Sequence, residues 1–384
     1  MKKTNFLLAV FVLTGLLSGC AGNQPADSSS SAPSVGTAPE TTIAAFTTAA
    51  QDADKPSIPG ALTVPDESDK QGKSGLSVPV TPEDVTLRVG SLKGPTSMGL
   101  VSLMDRASKG EAGNQYEFTM VTAADELLAK VVSGQLDIAL IPANTASILY
   151  GKTNGQVVVL NVNTLGVLNV VSSDDSIKSI KDLAKKGKTV YMTGKGTTPD
   201  YVFRYLLSAN EMTEQDLTLE FKSEPAEVAA LLKEQPDAIG LLPQPFVTAA
   251  CGQNENLKIV LDLTEEWDKV QGEDKSRLVT GVTIVRRSFL EENPNAVSLF
   301  LAEHRDSAQY ANSHIKETAQ LVADLGIIEK APLAEKALPY CNITCLTGEE
   351  MKSALSGYLK VLYDQDPSSV GGQLPEDDFY FSGQ

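Results

Sequence analysis

Two short apolar runs, each stopped by a proline, constrain this chain more than any other feature. Residues 136–141 (LDIALI) end at Pro142, and residues 237–242 (DAIGLL) end at Pro243. Runs so short and so continuously apolar read as buried strands, the kind found in sheets covered by helices. Upstream of the first lie a strand over 85–91 (VTLRVGS), a helix over 97–107, a strand over 116–121 and an amphipathic helix over 123–133 closed by Gly134. Upstream of the second lie helices over 177–185, 199–209 and 225–233, alternating with strands over 189–193 (TVYMT) and 217–221. Each apolar run therefore closes a βαβαβ unit. Right-handed crossovers make such strands parallel and set their carboxyl ends along one rim. The expected fold class is α/β, with two Rossmann-like lobes whose likeness is architectural, since the halves align poorly by residue.

Between and after the units lie two β-rich stretches, 156–172 (QVVVLNVNTLGVLNVVS) and 278–285 (LVTGVTIV). Each has a central glycine, Gly166 or Gly281, where a strand could bend while passing between lobes. The alternative is that both are core strands of one large sheet. From 289 to 364 the chain turns helical, notably over 294–313 and 315–325. The expected division is 83–165 with 283–384 as the first lobe and 166–282 as the second.

The first twenty residues are an address. Met1-Lys2-Lys3, an apolar stretch over 6–17 and Leu17-Ser18-Gly19 before Cys20 are the parts of a secretory signal peptide. Leu-Ser-Gly-Cys resembles the bacterial lipobox, which implies cleavage after residue 19 and a diacylated Cys20. The alternative is an ordinary signal peptide with Cys20 there by chance. Two acyl chains make a stable membrane anchor where one does not. Residues 20–82 are rich in Ser, Thr, Ala and Pro and cannot bury enough apolar surface to offset their ordering entropy, so they read as a tether. Nothing downstream is apolar for long enough to span a bilayer.

Composition excludes more than it selects. Lys+Arg 32 against Asp+Glu 49 leaves a net charge of -17, and no basic cluster offsets it, which removes nucleic acid as a partner. Two histidines and four cysteines are little stock for a metal centre or a His-based triad, and no cofactor is implied. With Cys20 acylated, Cys251, Cys341 and Cys345 allow at most one internal disulfide, whose pairing stays open.

Two loops have strand, Gly-rich turn and helix start in order. In the first, Gly94, Pro95, Thr96 and Ser97, a hydroxyl can cap the helix and the glycine lets a ligand approach the backbone. In the second, Lys195, Gly196, Thr197 and Thr198, Thr198 is a natural N-cap with Pro199 at the first helical position. Thr189 stands where a phosphate-binding Walker loop needs glycine, and Pro199 where a dinucleotide fingerprint needs Gly or Ala. Paired helix starts suit a carboxylate, sulfonate, phosphate or nitrate. The two proline-stopped strand ends add Asn144, Thr145 and Gln244 as orienting groups. Trp267 either lines the cleft or covers a core edge, and is counted with the cleft.

In this order, the lipobox and tether, GSLKGPTS, DIALIPANTA, IKDLAKKGKTVYMTGKGTTPD, DAIGLLPQPFVT and LVTGVTIVRRSFLEENP resemble a bacterial ABC-transporter substrate-binding protein. The branch is that of the nitrate, sulfonate and taurine binders and the thiamine-precursor binders. The resemblance covers about 81–362 and implies the type II periplasmic-binding fold, two lobes joined by two strands that close on one solute. It implies a pocket at Gly94 to Ser97, Ala143 to Thr145, Lys195 to Thr198 and Gln244. Many relatives carry an acidic residue where this chain has Gln244, which favours an acidic or neutral ligand. The expected protein is not an enzyme. It is a lipid-anchored, extracytoplasmic, monomeric receptor that delivers a small molecule to an ABC permease and ATPase. The alternatives are an enzyme on the same fold, of the pyrimidine or menaquinone precursor type, and a surface sensory or adhesion lipoprotein.

Overall fold

The computed structural model describes residues 85–383 apart from 123, 185–187, 214, 236 and 272–275. The signal segment, Cys20 and the tether lie outside the described residues. The first unit runs β1 (Thr86–Leu92), α1 (Pro95–Met98), α2 (Val101–Ser108), β2 (Gln115–Val121), α3 (Ala124–Val132), β3 (Ile138–Pro142) and α4 (Ala143–Lys152). Then follow β4 (Val157–Leu165), β5 (Leu168–Ser172), β6 (Thr189–Met192), α5 (Thr198–Ala209), β7 (Thr218–Phe221) and α6 (Pro225–Glu234). The second unit ends with β8 (Ile239–Pro243), α7 (Phe246–Gln253), β9 (Lys258–Asp262) and α8 (Leu263–Val270). The chain closes with β10 (Val279–Arg286), α9 (Arg287–Glu292), α10 (Pro294–Ser313), α11 (Ile315–Asp324), α12 (Ala331–Ala337), β11 (Ile343–Leu346) and α13 (Gly348–Gln365).

The described strands form two sheets of one design. The first has the order β11-β4-β10-β3-β1-β2, the second β7-β6-β8-β5-β9. Within each, the two crossovers land on opposite sides of one strand, so β1 is flanked in parallel by β2 and β3, and β6 by β7 and β8. An antiparallel strand then seals the last parallel one: β10 lies on β3 and β5 on β8. Such a reversal of winding opens a crevice at the carboxyl ends of the parallel strands. One large sheet is thereby excluded, and the fold is the two-lobed α/β arrangement of type II periplasmic-binding proteins.

The chain passes between the sheets at Gly166 and again between β9 and β10. At Gly166 any β-carbon would run into the Thr264 hydroxyl and lie 2.8 Å from Leu278 Cδ2, so only glycine permits this crossing. Gly281 is different from its expected role. It pairs with Pro142 inside the first sheet, at an irregularity of β10, and the crossing lies upstream of it. Glycine is needed there because a β-carbon would meet Thr96 Cγ2 and Asn163 Oδ1, each at 2.6 Å.

Asp137, the second residue of the first apolar run, explains how that run is registered. Its side chain is fully buried. Oδ2 accepts from the Arg88 amide at 3.1 Å and Nε at 2.8 Å, while Oδ1 accepts from Arg88 Nη2 and Arg286 Nη2, both at 2.6 Å. Burial alone would raise the carboxyl pKa, but the hydrogen bonds from the two guanidinium groups hold it below the ordinary value. The carboxylate thus pins β3 between β1 and β10.

One apolar core runs under both sheets. It joins Val162 of β4 and Val170 of β5 to Leu206 of α5 and to Trp267 of α8. Met351, Leu355, Tyr358, Leu359 and Leu362 recur at helical spacing and form the buried stripe of α13, which packs on α5 from the second lobe and on α4, β4 and β10 from the first. Expected helix 177–185 is instead a 3-10 turn, Ile180–Ala184, because the Asp182 carboxylate takes the Lys178 amide and the Ser179 hydroxyl and competes with a regular helix start. No described helix is long and apolar enough to cross a membrane. Cys251, Cys341 and Cys345 are free thiols.

Candidate functional site

The two prolines that stop the apolar runs sit in equivalent places. Pro142 pairs with Gly281 of β10, and Pro243 with Leu168 of β5. Both line one cavity of about 340 Å³ at the carboxyl ends of β3 and β8. The first lobe contributes Ala124 at the start of α3, with Asn144 and Thr145 on the first turn of α4. The second contributes Thr197, Thr198 and Pro199 at the start of α5. Val167 and Leu168, at the crossing, and Thr280 of β10 complete it. A larger groove of about 680 Å³ lies between α7, β9 and α12, away from the strand ends. The crevice at the strand ends is where an open α/β sheet binds its ligand, so the smaller cavity is the candidate.

Asn144 links the lobes. Its Nδ2 donates to the Ser369 carbonyl at 3.3 Å, and its Oδ1 accepts from Thr198 Oγ1, also at 3.3 Å. These partners define the orientation of the amide. Tyr201 of α5 adds a second bridge, donating to Asp366 Oδ2 beyond α13 at 3.3 Å. At the start of α5, Thr197 is the N-cap in place of Thr198, and its hydroxyl donates back to the Gly194 carbonyl at 2.7 Å. The Gly196 amide donates to Asp200 Oδ2 at 2.8 Å, and Asp200, buried in the first helical turn, also accepts from Arg204 Nε at 2.5 Å. A carboxylate of the protein itself therefore takes one of the amides that this loop could offer an anion.

Asn144, Thr145, Thr197 and Thr198 are the expected residues that meet in the cavity. The first loop does not reach it. Gly94, with φ 145, is the N-cap of α1, which is a single turn begun by Pro95. Thr96 Oγ1 donates to the Leu92 carbonyl at 3.3 Å, and the Ser97 hydroxyl is engaged with Ser91 Oγ and Leu92 O, so both side chains close their own turn. Ala143 is buried in the core beneath α4. Lys195 is exposed and lies over the Phe221 ring at 5.8 Å, outside the cavity lining. Gln244 is buried beside Pro243. Its Oε1 accepts from the Thr248 amide at 3.3 Å and hydroxyl at 2.8 Å, leaving Nε2 without a partner.

Trp267 is a core residue, not a cleft residue. Its ring is fully buried between Tyr205 at 4.7 Å and Tyr358 at 5.7 Å, and Nε1 donates to the Ser276 carbonyl and hydroxyl at 3.3 and 3.2 Å. An acidic, exposed-looking segment hid this, because the burial comes from α13, far along the chain. Val167, Leu168 and Thr280 were missed as lining residues. Their place depends on which strand seals which, a pairing that no local pattern carries.

No described lining residue is charged, and none is His or Cys. His304 is elsewhere, wholly buried against Asn161 (3.1 Å), where burial pushes its pKa down to about 4.

Comparison with known proteins gives two results. The menaquinone biosynthesis family matches residues 91–364. No curated protein sequence matches the chain. Among solved structures, an ABC transporter from Parabacteroides distasonis is similar at 23% identity and a TM-score of 0.65, over 78% of this chain and 100% of that one. The periplasmic aliphatic sulphonate binding protein SsuA from Escherichia coli is similar at 16% identity and a TM-score of 0.59, over 76% and 92%. The alkanesulfonate-binding protein SsuA from Xanthomonas axonopodis pv. citri, bound to MOPS, is similar at 15% identity and a TM-score of 0.54, over 77% and 96%. At these identities the likeness is one of fold.

Proposed function

The chain belongs to the menaquinone biosynthesis family, and we propose that this member is an extracytoplasmic receptor of an ABC importer, holding one small molecule between its lobes and passing it to a membrane permease. One observation carries the reading: the cavity is built jointly by both lobes and bridged by the Thr198 to Asn144 hydrogen bond. A ligand touching both walls stabilises the arrangement in which they face each other, which is the physical basis of closure. The chemistry of the lining supports binding over catalysis. A general base or an activated nucleophile needs a titratable side chain within reach of the substrate, and Thr and Asn supply none near neutral pH. On this reading Cys20 is lipidated and the tether holds a monomeric receptor outside the cytoplasmic membrane, with the permease and its ATPase as partners. The family's name favours a second reading, an enzyme acting on a menaquinone precursor in the same cavity.

One experiment separates the two. The purified protein is melted with small-molecule panels, and every compound that raises its Tm is incubated with it and recovered for mass spectrometry. A receptor returns the compound unchanged, and a ligand at about 100 times its Kd adds roughly 2.7 kcal/mol of stability. A recovered product identifies the enzyme instead.

A further inference from the structure

We infer that Tyr201 and Asp366 form a latch on this cavity, one that lies outside its lining and sets how often the lobes part to admit a ligand. The inference rests on the receptor reading above and concerns the regulation of the same site. The 3-10 turn Pro367–Val370, which follows α13, is seated on α4 of the first lobe. Its Ser369 carbonyl accepts from Asn144 Nδ2 at 3.3 Å, and its Val370 carbonyl from Ser147 Oγ at 2.8 Å. Asp366 caps this turn. Its Oδ1 accepts from the Ser368 amide at 2.9 Å and hydroxyl at 2.7 Å, which leaves Oδ2 to take the Tyr201 hydroxyl of α5, in the second lobe, at 3.3 Å.

The donor and acceptor are fixed by their surroundings. Hydrogen bonds from Ser368 hold the Asp366 carboxyl below its ordinary pKa, while burial and then the Asp366 charge hold the Tyr201 phenol above its own. Near neutral pH the phenol therefore donates and the carboxylate accepts. Beside this pair α13 packs on α5 through the shared apolar core, and packed helices tolerate a small shear. A hydrogen bond does not, because it weakens steeply with angle and distance. Moving α5 away from the turn breaks the Tyr201 bond together with that of Thr198 to Asn144, while the two bonds to α4 travel with the first lobe. Thr198 and Asn144 line the cavity, but Tyr201 and Asp366 do not. Their bond thus changes the opening equilibrium without changing what the ligand touches.

The test is thiol labelling of the full chain without ligand. Val167→Cys places a reporter of similar size at a buried lining position, and the reagent is fluorescein maleimide, whose rigid dye has to follow the reactive ring into the crevice. Cys341, wholly buried in a separate cluster of the first lobe, reports unfolding in the same sample, with the labelled peptides told apart by mass spectrometry. Adding Tyr201→Phe is expected to speed labelling at position 167 about fivefold while leaving Cys341 within about twofold. Equal rates at position 167 with and without Tyr201→Phe overturn the inference and leave the receptor reading standing. Labelling at position 167 that never outruns Cys341 shows lobes that do not part, which removes the entry route of the receptor reading and the inference with it. If Tyr201→Phe speeds both sites alike, Asp366→Ser makes the same test, since serine keeps an oxygen for the Ser368 amide and loses the reach to Tyr201. A second equal rise at both sites makes the contact a purely structural one and overturns the latch.

Discussion

Asp137 and Asp237 stand just before β3 and β8 in similar local sequence, yet their environments are opposites. Asp137 is fully buried and bonded to Arg88 and Arg286, whereas Asp237 is exposed. Their substitution should separate them. Asp137→Asn leaves two guanidinium groups without their shared partner and is expected to cost roughly 3 kcal/mol, at the low end for a broken buried pair because both arginines keep some contact with water. Asp237→Asn is expected to stay within about 0.5 kcal/mol. Urea unfolding at pH 7 measures both. The Asp137 pKa is lower in the folded than in the unfolded protein, so its contribution is present above the ordinary aspartate value and is lost as pH falls through the folded one. The gap between wild type and Asp137→Asn should therefore narrow on acidification. Equal effects of the two substitutions would show that β3 is not pinned by this carboxylate.

Among the elements, α13 has the widest reach. It follows β11 of the first sheet in sequence but buries Tyr358 against Trp267, a residue of the second lobe, and its stripe continues the core beneath α4 and β10. Trp267→Ala removes a fully buried indole from that junction and is expected to cost about 3–5 kcal/mol by denaturant unfolding. A loss under about 1 kcal/mol would mean that the junction repacks and that α13 does not tie the lobes. The helical pattern of α13 was legible because its apolar positions recur every three to four residues. The single turn of α1, the 3-10 turn at Ile180–Ala184 and the four-residue β11 were not, since such short segments carry no period and are held by side-chain bonds and neighbouring strands.

Across the whole molecule the charge of -17 acts on stability more than on ligand choice. Self-repulsion opposes the compact state, and raising ionic strength from about 10 mM to about 150 mM shortens its range from about 30 Å to about 8 Å. The Tm is expected to rise over that interval. A fall would mean that exposed ion pairs such as Lys360–Asp364 outweigh the repulsion. At this scale the sequence alone determined the α/β class, the two βαβαβ units and the proline-marked strand ends, because helix and strand periods and turn residues are local signals. It also determined that Asn144, Thr145, Thr197 and Thr198 stand at strand ends or helix starts. Only the tertiary structure decided that these four share one cavity with Val167, Leu168 and Thr280, that Thr96 and Ser97 turn away, and that Trp267 belongs to the core. Those outcomes follow from which antiparallel strand seals each crevice and from α13 returning over both lobes. Each is a contact settled by packing and by the need to satisfy buried polar groups, conditions that exist only once distant segments have met.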